Sequence, residues 1–148
     1  MANQMISSPL GKILSVILAL ITISSIGAFA YSIARPPVTE AFTEFYVLNT
    51  EGKAADYPRE LTIGKSASVI IGIVNREQVT ATYRVEVSAN QTLLNEVGPL
   101  TLQQGETREE TVTFKPVAAG TNQKIEFLLF KPGQPEVYRS VYILVNVK

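Results

Sequence analysis

Hydrophobic and polar positions divide the chain into two unlike parts. From Ile13 to Ala34 the phenol of Tyr31 is the only ionisable side chain, and Ile, Leu, Val, Ala and Phe fill most positions. A helix of that length would measure about 33 Å, enough to cross a hydrocarbon core of roughly 30 Å. A buried helix of a soluble domain would keep a polar face, and none can be drawn here. Ser15, Thr22, Ser24 and Ser25 fit the span because each hydroxyl can bond a carbonyl of the preceding turn. Next comes Arg35-Pro36-Pro37-Val38-Thr39, whose prolines stop a helix and favour extended backbone. The pattern therefore predicts a short segment 1–12, a membrane helix 13–34, a spacer 35–41 and a separate domain 42–148.

In that domain the helical period disappears. Short runs of Val, Ile, Tyr, Phe and Thr alternate with Gly, Pro and Asn, which predicts strands at Thr43–Leu48, Glu60–Ile63, Ser66–Val74, Thr80–Ser88, Thr92–Val97, Glu106–Phe114, Lys124–Phe130 and Glu136–Val147. Turns are expected at Glu51-Gly52, Ile63-Gly64-Lys65, Asn75-Arg76-Glu77, Val97-Gly98-Pro99, Gln104-Gly105, Ala119-Gly120-Thr121 and Lys131-Pro132-Gly133. Seven or eight strands at this spacing describe an antiparallel β-sandwich of two sheets. Within the fourth run, Tyr83, Val85 and Val87 share one face and Thr82, Arg84, Glu86 and Ser88 the other, the pattern of a half-buried strand. The run from Val69 to Val74 is apolar on both faces, so it belongs in the middle of a sheet or under a cover. Gly72 inside it predicts a bulge or a close backbone approach.

Composition then removes most chemistry. The chain of 148 residues has no His, Cys or Trp. Nucleophile pairs built on His, zinc sites with nitrogen or sulfur ligands, iron–sulfur clusters and disulfides are all excluded. Lys and Arg number 13, as do Asp and Glu. All the acids and all but two of the bases, Lys12 and Arg35, lie beyond Thr39, so that part of the chain is mildly acidic. No basic stripe for nucleic acid is present.

The apolar segment suits either a retained anchor or a cleaved signal. Ala28-Phe29-Ala30 offers an A-x-A cleavage site, whereas the long apolar run and the sparse positive charge before it favour an anchor. Flanking Lys and Arg are almost balanced. The residues ahead of the helix are too few for a domain, so the N-terminus is placed in the cytoplasm and the C-terminal domain outside the cell membrane. There, without disulfides, the core alone must hold the fold.

Phe42-Thr43-Glu44-Phe45-Tyr46-Val47-Leu48, Gly52-Lys53-Ala54, Asp56-Tyr57-Pro58, Leu61-Thr62-Ile63-Gly64 and Ile73-Val74-Asn75-Arg76-Glu77 together resemble the start of DUF1616, an archaeal and bacterial membrane-protein family. Tyr83-Arg84-Val85-Glu86-Val87 and Lys124-Ile125-Glu126-Phe127-Leu128-Leu129-Phe130 extend the similarity, which covers about Phe42 to Lys148. The resemblance implies an extracytoplasmic immunoglobulin-like domain on a membrane segment, with no established activity. Members often carry several spans where this chain shows one, which implies a partner that supplies the rest.

Four features bear on chemistry. Asn90-Gln91-Thr92 satisfies N-x-[ST], making Asn90 a glycosylation candidate in a translocated domain. Tyr57-Pro58 reads as packing at the sandwich edge, with Pro holding Tyr57 extended. Glu106, Glu109 and Glu110 suggest calcium or a hydrolytic pair, but neighbours in a strand point to opposite faces, and Asp56 is the only aspartate. The last two predicted strands are apolar on both faces. If Ile125, Phe127 and Leu129 face inward with Val141, Ile143, Val145 and Val147, then Leu128, Phe130, Tyr142 and Leu144 form an outward apolar patch for a partner. The bland alternative is that a shifted register or the run Phe42 to Leu48 buries it.

The resulting expectation is a non-catalytic, single-pass membrane protein, an accessory or scaffolding subunit acting through its β-sandwich. Its partners are membrane lipid and other membrane-protein subunits, with no cofactor, nucleic acid or small-molecule substrate. Gly27, Ser24, Ser25 and Ala28 could admit a neighbouring helix or face lipid. Two alternatives stand beside this: a secreted carbohydrate- or peptide-binding module released after Ala30, and a pilin-like filament subunit. The latter lacks the basic residue a prepilin needs before its cleavage site, since Lys12 follows Gly11 with none before it.

Overall fold

The computed structural model describes residues 8–34 and 40–148, which fall into two units, one N-terminal and one beginning at Glu40. The predicted 1–12 segment and 35–41 spacer lie largely outside the described residues. Helix α1 spans Pro9–Ala34 and buries none of its residues. It is the one described helix long and apolar enough to cross a membrane. It starts earlier than the apolar run because Pro9 suits the first turn and the Ser8 hydroxyl accepts from the Gly11 amide at 3.2 Å. Ser15, Thr22 and Ser25 return their hydroxyls to the carbonyls of Gly11, Leu18 and Ile21 at 2.9, 2.8 and 2.8 Å. None of these three hydroxyls is left unpaired.

The second unit is a β-sandwich of eight strands among the described residues. They are β1 (Phe42–Leu48), β2 (Glu60–Leu61), β3 (Ala67–Arg76), β4 (Ala81–Ala89), β5 (Thr92–Leu102), β6 (Thr107–Phe114), β7 (Gly120–Phe130) and β8 (Arg139–Val147). One sheet has the order β1-β3-β6 and the other β2-β8-β7-β4-β5. The doubly apolar β3 is the middle strand of its sheet. Val69, Ile71 and Ile73 point into the core at 1% exposure or less, opposite Tyr83, Val85 and Val87 of β4. Phe114 and Phe127 meet edge-on across the core, their centroids 6.1 Å apart.

Several boundaries differ from expectation for identifiable reasons. The turn expected at Val97-Gly98-Pro99 is a bulge inside β5, which runs on to Leu102. Here one residue of β4, Arg84, faces two of β5, Gly98 and Pro99. Gly98 takes φ +132°, and a Cβ on it would come within 2.9 Å of the Tyr83 carbonyl oxygen. A second bulge, at Gly120 to Gln123, lets β7 begin where a turn was expected. The second strand shrinks to Glu60–Leu61 and pairs parallel with β8. The last strand begins only at Arg139, after the Pro-rich loop. Gly72 is neither a bulge nor a close approach of another backbone: its pairing with Tyr46 and Glu109 is regular, and the Tyr46 side chain lies on it.

Candidate interaction surface

Polar groups near the core are satisfied, and two of the four buried polar residues among those described, Thr43 and Asn75, are cross-strand partners at one end of the sandwich. Fully buried Asn75 uses its side chain three times. Its amide donates to the carbonyls of Val79 and Leu102 at 2.8 and 2.9 Å, and its oxygen accepts from the Glu77 amide at 2.9 Å. This turns β3 into β4 and brings Glu77 back over the core.

One oxygen of Glu77, Oε1, then accepts from Thr43 Oγ1 at 2.7 Å, from the Tyr138 hydroxyl at 2.6 Å and from Lys131 Nζ at 2.7 Å. With the Thr43 proton committed, the Tyr83 hydroxyl donates to Thr43, 2.8 Å away. Lys131 also lies over the Tyr138 ring at 3.8 Å. Burial works against the Glu77 charge, but the bonds from Lys131, Tyr138 and Thr43 and the nearby ammonium outweigh it, holding the carboxyl at about 2. Burial likewise raises the Tyr83 phenol. The hydroxyl protons of Thr43, Tyr83 and Tyr138 are spent within this network, which ties together β1, β4, the β3–β4 loop and the β7–β8 loop. Among the described residues no buried side-chain polar atom lacks a partner, and no three of His, Cys, Asp or Glu stand together as metal ligands.

The glutamates weighed for chemistry are dispersed. Glu109 accepts from the Tyr46 hydroxyl at 3.0 Å on the outer face of its sheet, Glu110 pairs with Arg108, and Glu106 accepts from the Gln103 amide. Tyr57 packs against the core, its hydroxyl donating to the Val47 carbonyl at 2.8 Å. Asn90 and Gln91 are the two loop residues of the β4–β5 hairpin, both at positive φ (48° and 66°). A tight turn of the primed type requires that backbone, and Asn adopts it readily. The glycosylation candidate thus already has a conformational role.

The four patch residues do not share one environment. Tyr142 and Leu144 stand on the outer face of β8, 57% and 51% exposed. Leu128 is half-buried, opposite Ser140 and Glu86 on the flanking strands. Phe130 corrects the expectation of a continuous outward patch, since it is buried at 7% exposure. The Arg84 guanidinium lies over its ring at 4.4 Å and is held there by Glu86 and, at 3.2 Å, by Glu96. Long charged side chains on neighbouring strands thus cover what alternation alone would expose. Near Tyr142 the same device is partial, with Lys124 Nζ 4.7 Å from the ring centroid and 2.6 Å from Glu126.

What remains exposed borders a groove of about 490 Å³ lined by Tyr57, Arg59, Asn122 and the β8 run from Tyr142 to Asn146. Sequence reasoning missed Arg59 and Asn146. Neither lies in a motif, and only the parallel pairing of β2 with β8 brings them beside Tyr142.

No protein of the curated set matches this chain. Among solved structures it is similar to the crystal structure of the CARDB domain of the PF1109 protein from Pyrococcus furiosus, in complex with di-metal ions. That match has 17% identity and a TM-score of 0.51, covering 76% of this chain and 95% of that one. The solution structure of the same domain matches at 18% identity and TM-score 0.51, covering 74% and 97%. At such identities the likeness establishes the fold, an immunoglobulin-like sandwich. The model of the family described as Domain of unknown function (DUF1616) matches residues 36–146, and with three quarters of its length inside that match the chain belongs to this family.

Proposed function

We propose that this protein is a non-catalytic, single-pass membrane protein whose extracytoplasmic sandwich acts by contact, as an accessory or scaffolding subunit of a membrane assembly. Its partners on this reading are membrane lipid around α1 and other membrane-protein subunits. The observation that carries it is the pair Tyr142 and Leu144, two large apolar side chains more than half exposed together on one face of β8, beside a groove. Leu128 flanks the pair as a lesser contact, and Phe130 supports the sheet from beneath. The long apolar run of α1 beyond Lys12 supports a retained anchor, and Lys12 on its N-terminal side supports an N-terminus in the cytoplasm. Absence of His and Cys, together with the dispersal of the glutamates, supports a role without catalysis.

The test is extraction of the full-length chain in gentle detergent and identification of what co-purifies. A stoichiometric membrane partner that is lost with Tyr142→Ser and Leu144→Ser is expected. A solitary particle of monomer mass overturns the reading. Release by cleavage after Ala30 is the second reading, favoured by Ala28-Phe29-Ala30. A mature protein beginning at Tyr31 would establish it.

A further inference from the structure

We infer that the open edge of β8, at Tyr142 and Leu144, accepts an extended segment of a partner polypeptide as an added strand, and that this segment carries acidic residues on either side of its apolar ones. The inference rests on the contact reading above and specifies its mode. On one side β8 is bonded to β7 from Arg139 to Val147. On the other side, among the described residues, β2 and its flanks bond only the final turn of the strand. The Asn146 amide donates to the Arg59 carbonyl at 2.6 Å, the Lys148 amide to Leu61 at 3.0 Å and the Ile63 amide to Lys148 at 3.0 Å.

Backbone groups alternate sides along a strand, so the N–H and C=O of Tyr142 and Leu144 point the same way as those of Asn146, beyond the reach of β2. Four backbone hydrogen-bonding groups therefore line a strand position that no described residue fills. The two exposed side chains stand above it and the groove runs beside it. This is the geometry of β-augmentation, in which main-chain bonds give affinity and alternate side chains give selectivity.

Charge identifies the occupant. Arg59 lies past one end of the open stretch and Arg139 begins the other, both exposed, and neither has an acidic partner among the described residues. A second copy of the chain, pairing antiparallel about Ile143, would set Tyr142 against Leu144 of its twin. It would also carry each Arg139 toward the other copy's Arg59. Like charges at both ends oppose that pairing, as charged edges do in many sheets, while an acid-flanked segment meets a cation at each end.

The experiment uses the full-length chain in detergent micelles and three synthetic peptides. One alternates Val and Thr between terminal Glu residues, the second has Lys in place of Glu, and the third is the first with its backbone N-methylated. The Glu-flanked peptide is expected to slow amide exchange at Tyr142 and Leu144 and to bind at least about tenfold more tightly than its Lys counterpart. Combined Arg59→Glu and Arg139→Glu should invert that preference, and N-methylation should abolish binding. Equal affinity for both flanks, no protection at these two amides, or protection arising from self-association without peptide would each overturn the inference. A natural membrane partner recovered undiminished by Arg59→Glu with Arg139→Glu would defeat strand addition and leave the contact reading standing. If the wild-type chain recovers no partner, the contact reading fails, and the peptides still decide the edge.

Discussion

The ring of Tyr46 lies so close on Gly72 that a Cβ added to the glycine would stand 2.0 Å from the tyrosine Cζ. The two residues are cross-strand partners in β1 and β3, and the tyrosine hydroxyl reaches Glu109 on β6 at 3.0 Å. One side chain therefore spans all three strands of the smaller sheet, using the space that the missing side chain leaves. Gly72→Ala should force the ring off the sheet and cost about 1 to 3 kcal/mol in urea unfolding. Tyr46→Ala should also destabilise. The double variant should lose less than the sum of the two, because the clash exists only while the ring is present. Strict additivity would mean that the ring and the glycine do not compete for space.

Glu77 makes the stability of the sandwich pH-dependent. Its carboxyl is held at about 2, below an ordinary value of 4.5, so the unfolded chain takes up a proton first as acid is added. The stabilisation is present in full above pH 4.5 and is lost as pH falls toward 2. The size of the shift implies roughly 2 to 3 kcal/mol for a side chain this well buried. Glu77→Gln should accordingly be destabilised at pH 7 and should approach the wild type near pH 2.5, both read by urea midpoints. A gap that is independent of pH would remove the carboxylate charge from the explanation.

Much of this fold is legible in the chain, and its limits are physical. Tyr83, Val85 and Val87 alternate as a half-buried strand must, and the doubly apolar Val69 to Val74 lies mid-sheet, because burial on one or both faces writes itself into a period of two. The bulge at Gly98 is not legible, since Gly-Pro marks a turn and a β5 bulge equally well. Phe130 misleads for a different reason. Its alternation is correct, but its exposure depends on Arg84, which lies on another strand and covers it only because Glu86 and Glu96 hold the guanidinium in place. Glu77 shows the same limit: Thr43, Lys131 and Tyr138 meet it across separations in sequence that no local pattern encodes. Arg59 beside Tyr142 belongs with these cases, since the topology of β2 creates that neighbourhood.

Asn90 and Gln91 form the tightest hairpin of the domain, both with positive φ. Asn90→Gly should change stability by no more than about 0.5 kcal/mol, because glycine adopts that backbone without strain. Asn90→Val should cost about 1 to 2 kcal/mol, since a β-branched side chain collides with its own backbone there. Thermal unfolding of the two variants checks the pair. Equal losses would place the role of Asn90 in its amide and not in its backbone. The intact mass of protein from its native membrane reports glycan attachment separately.

The cysteine-free sequence allows the proposed topology to be read directly. Ser66 is exposed in the loop before β3, so Ser66→Cys provides a single thiol on the sandwich. With the domain outside the membrane, a membrane-impermeant maleimide should label this variant in intact cells as fully as after lysis. Labelling that requires lysis would place the domain inside.

Tyr142 and Leu144 can be separated from the core by setting them against Phe130. Both are more than half exposed and make no buried contact to lose, so Tyr142→Ser and Leu144→Ser should each leave the urea midpoint within about 0.5 kcal/mol of wild type. Phe130 lies at 7% exposure beneath Arg84, and Phe130→Ala should cost about 3 kcal/mol. Partner recovery should show the reverse order once the proteins are compared at a temperature where all remain folded. The serine variants should lose the partner and the alanine variant should keep it. If the serine variants melt instead, their side chains belong to the packing of the sandwich and the surface assigned to contact is a structural one. If they stay folded and recovery is unchanged, the partner binds elsewhere on the domain or along α1.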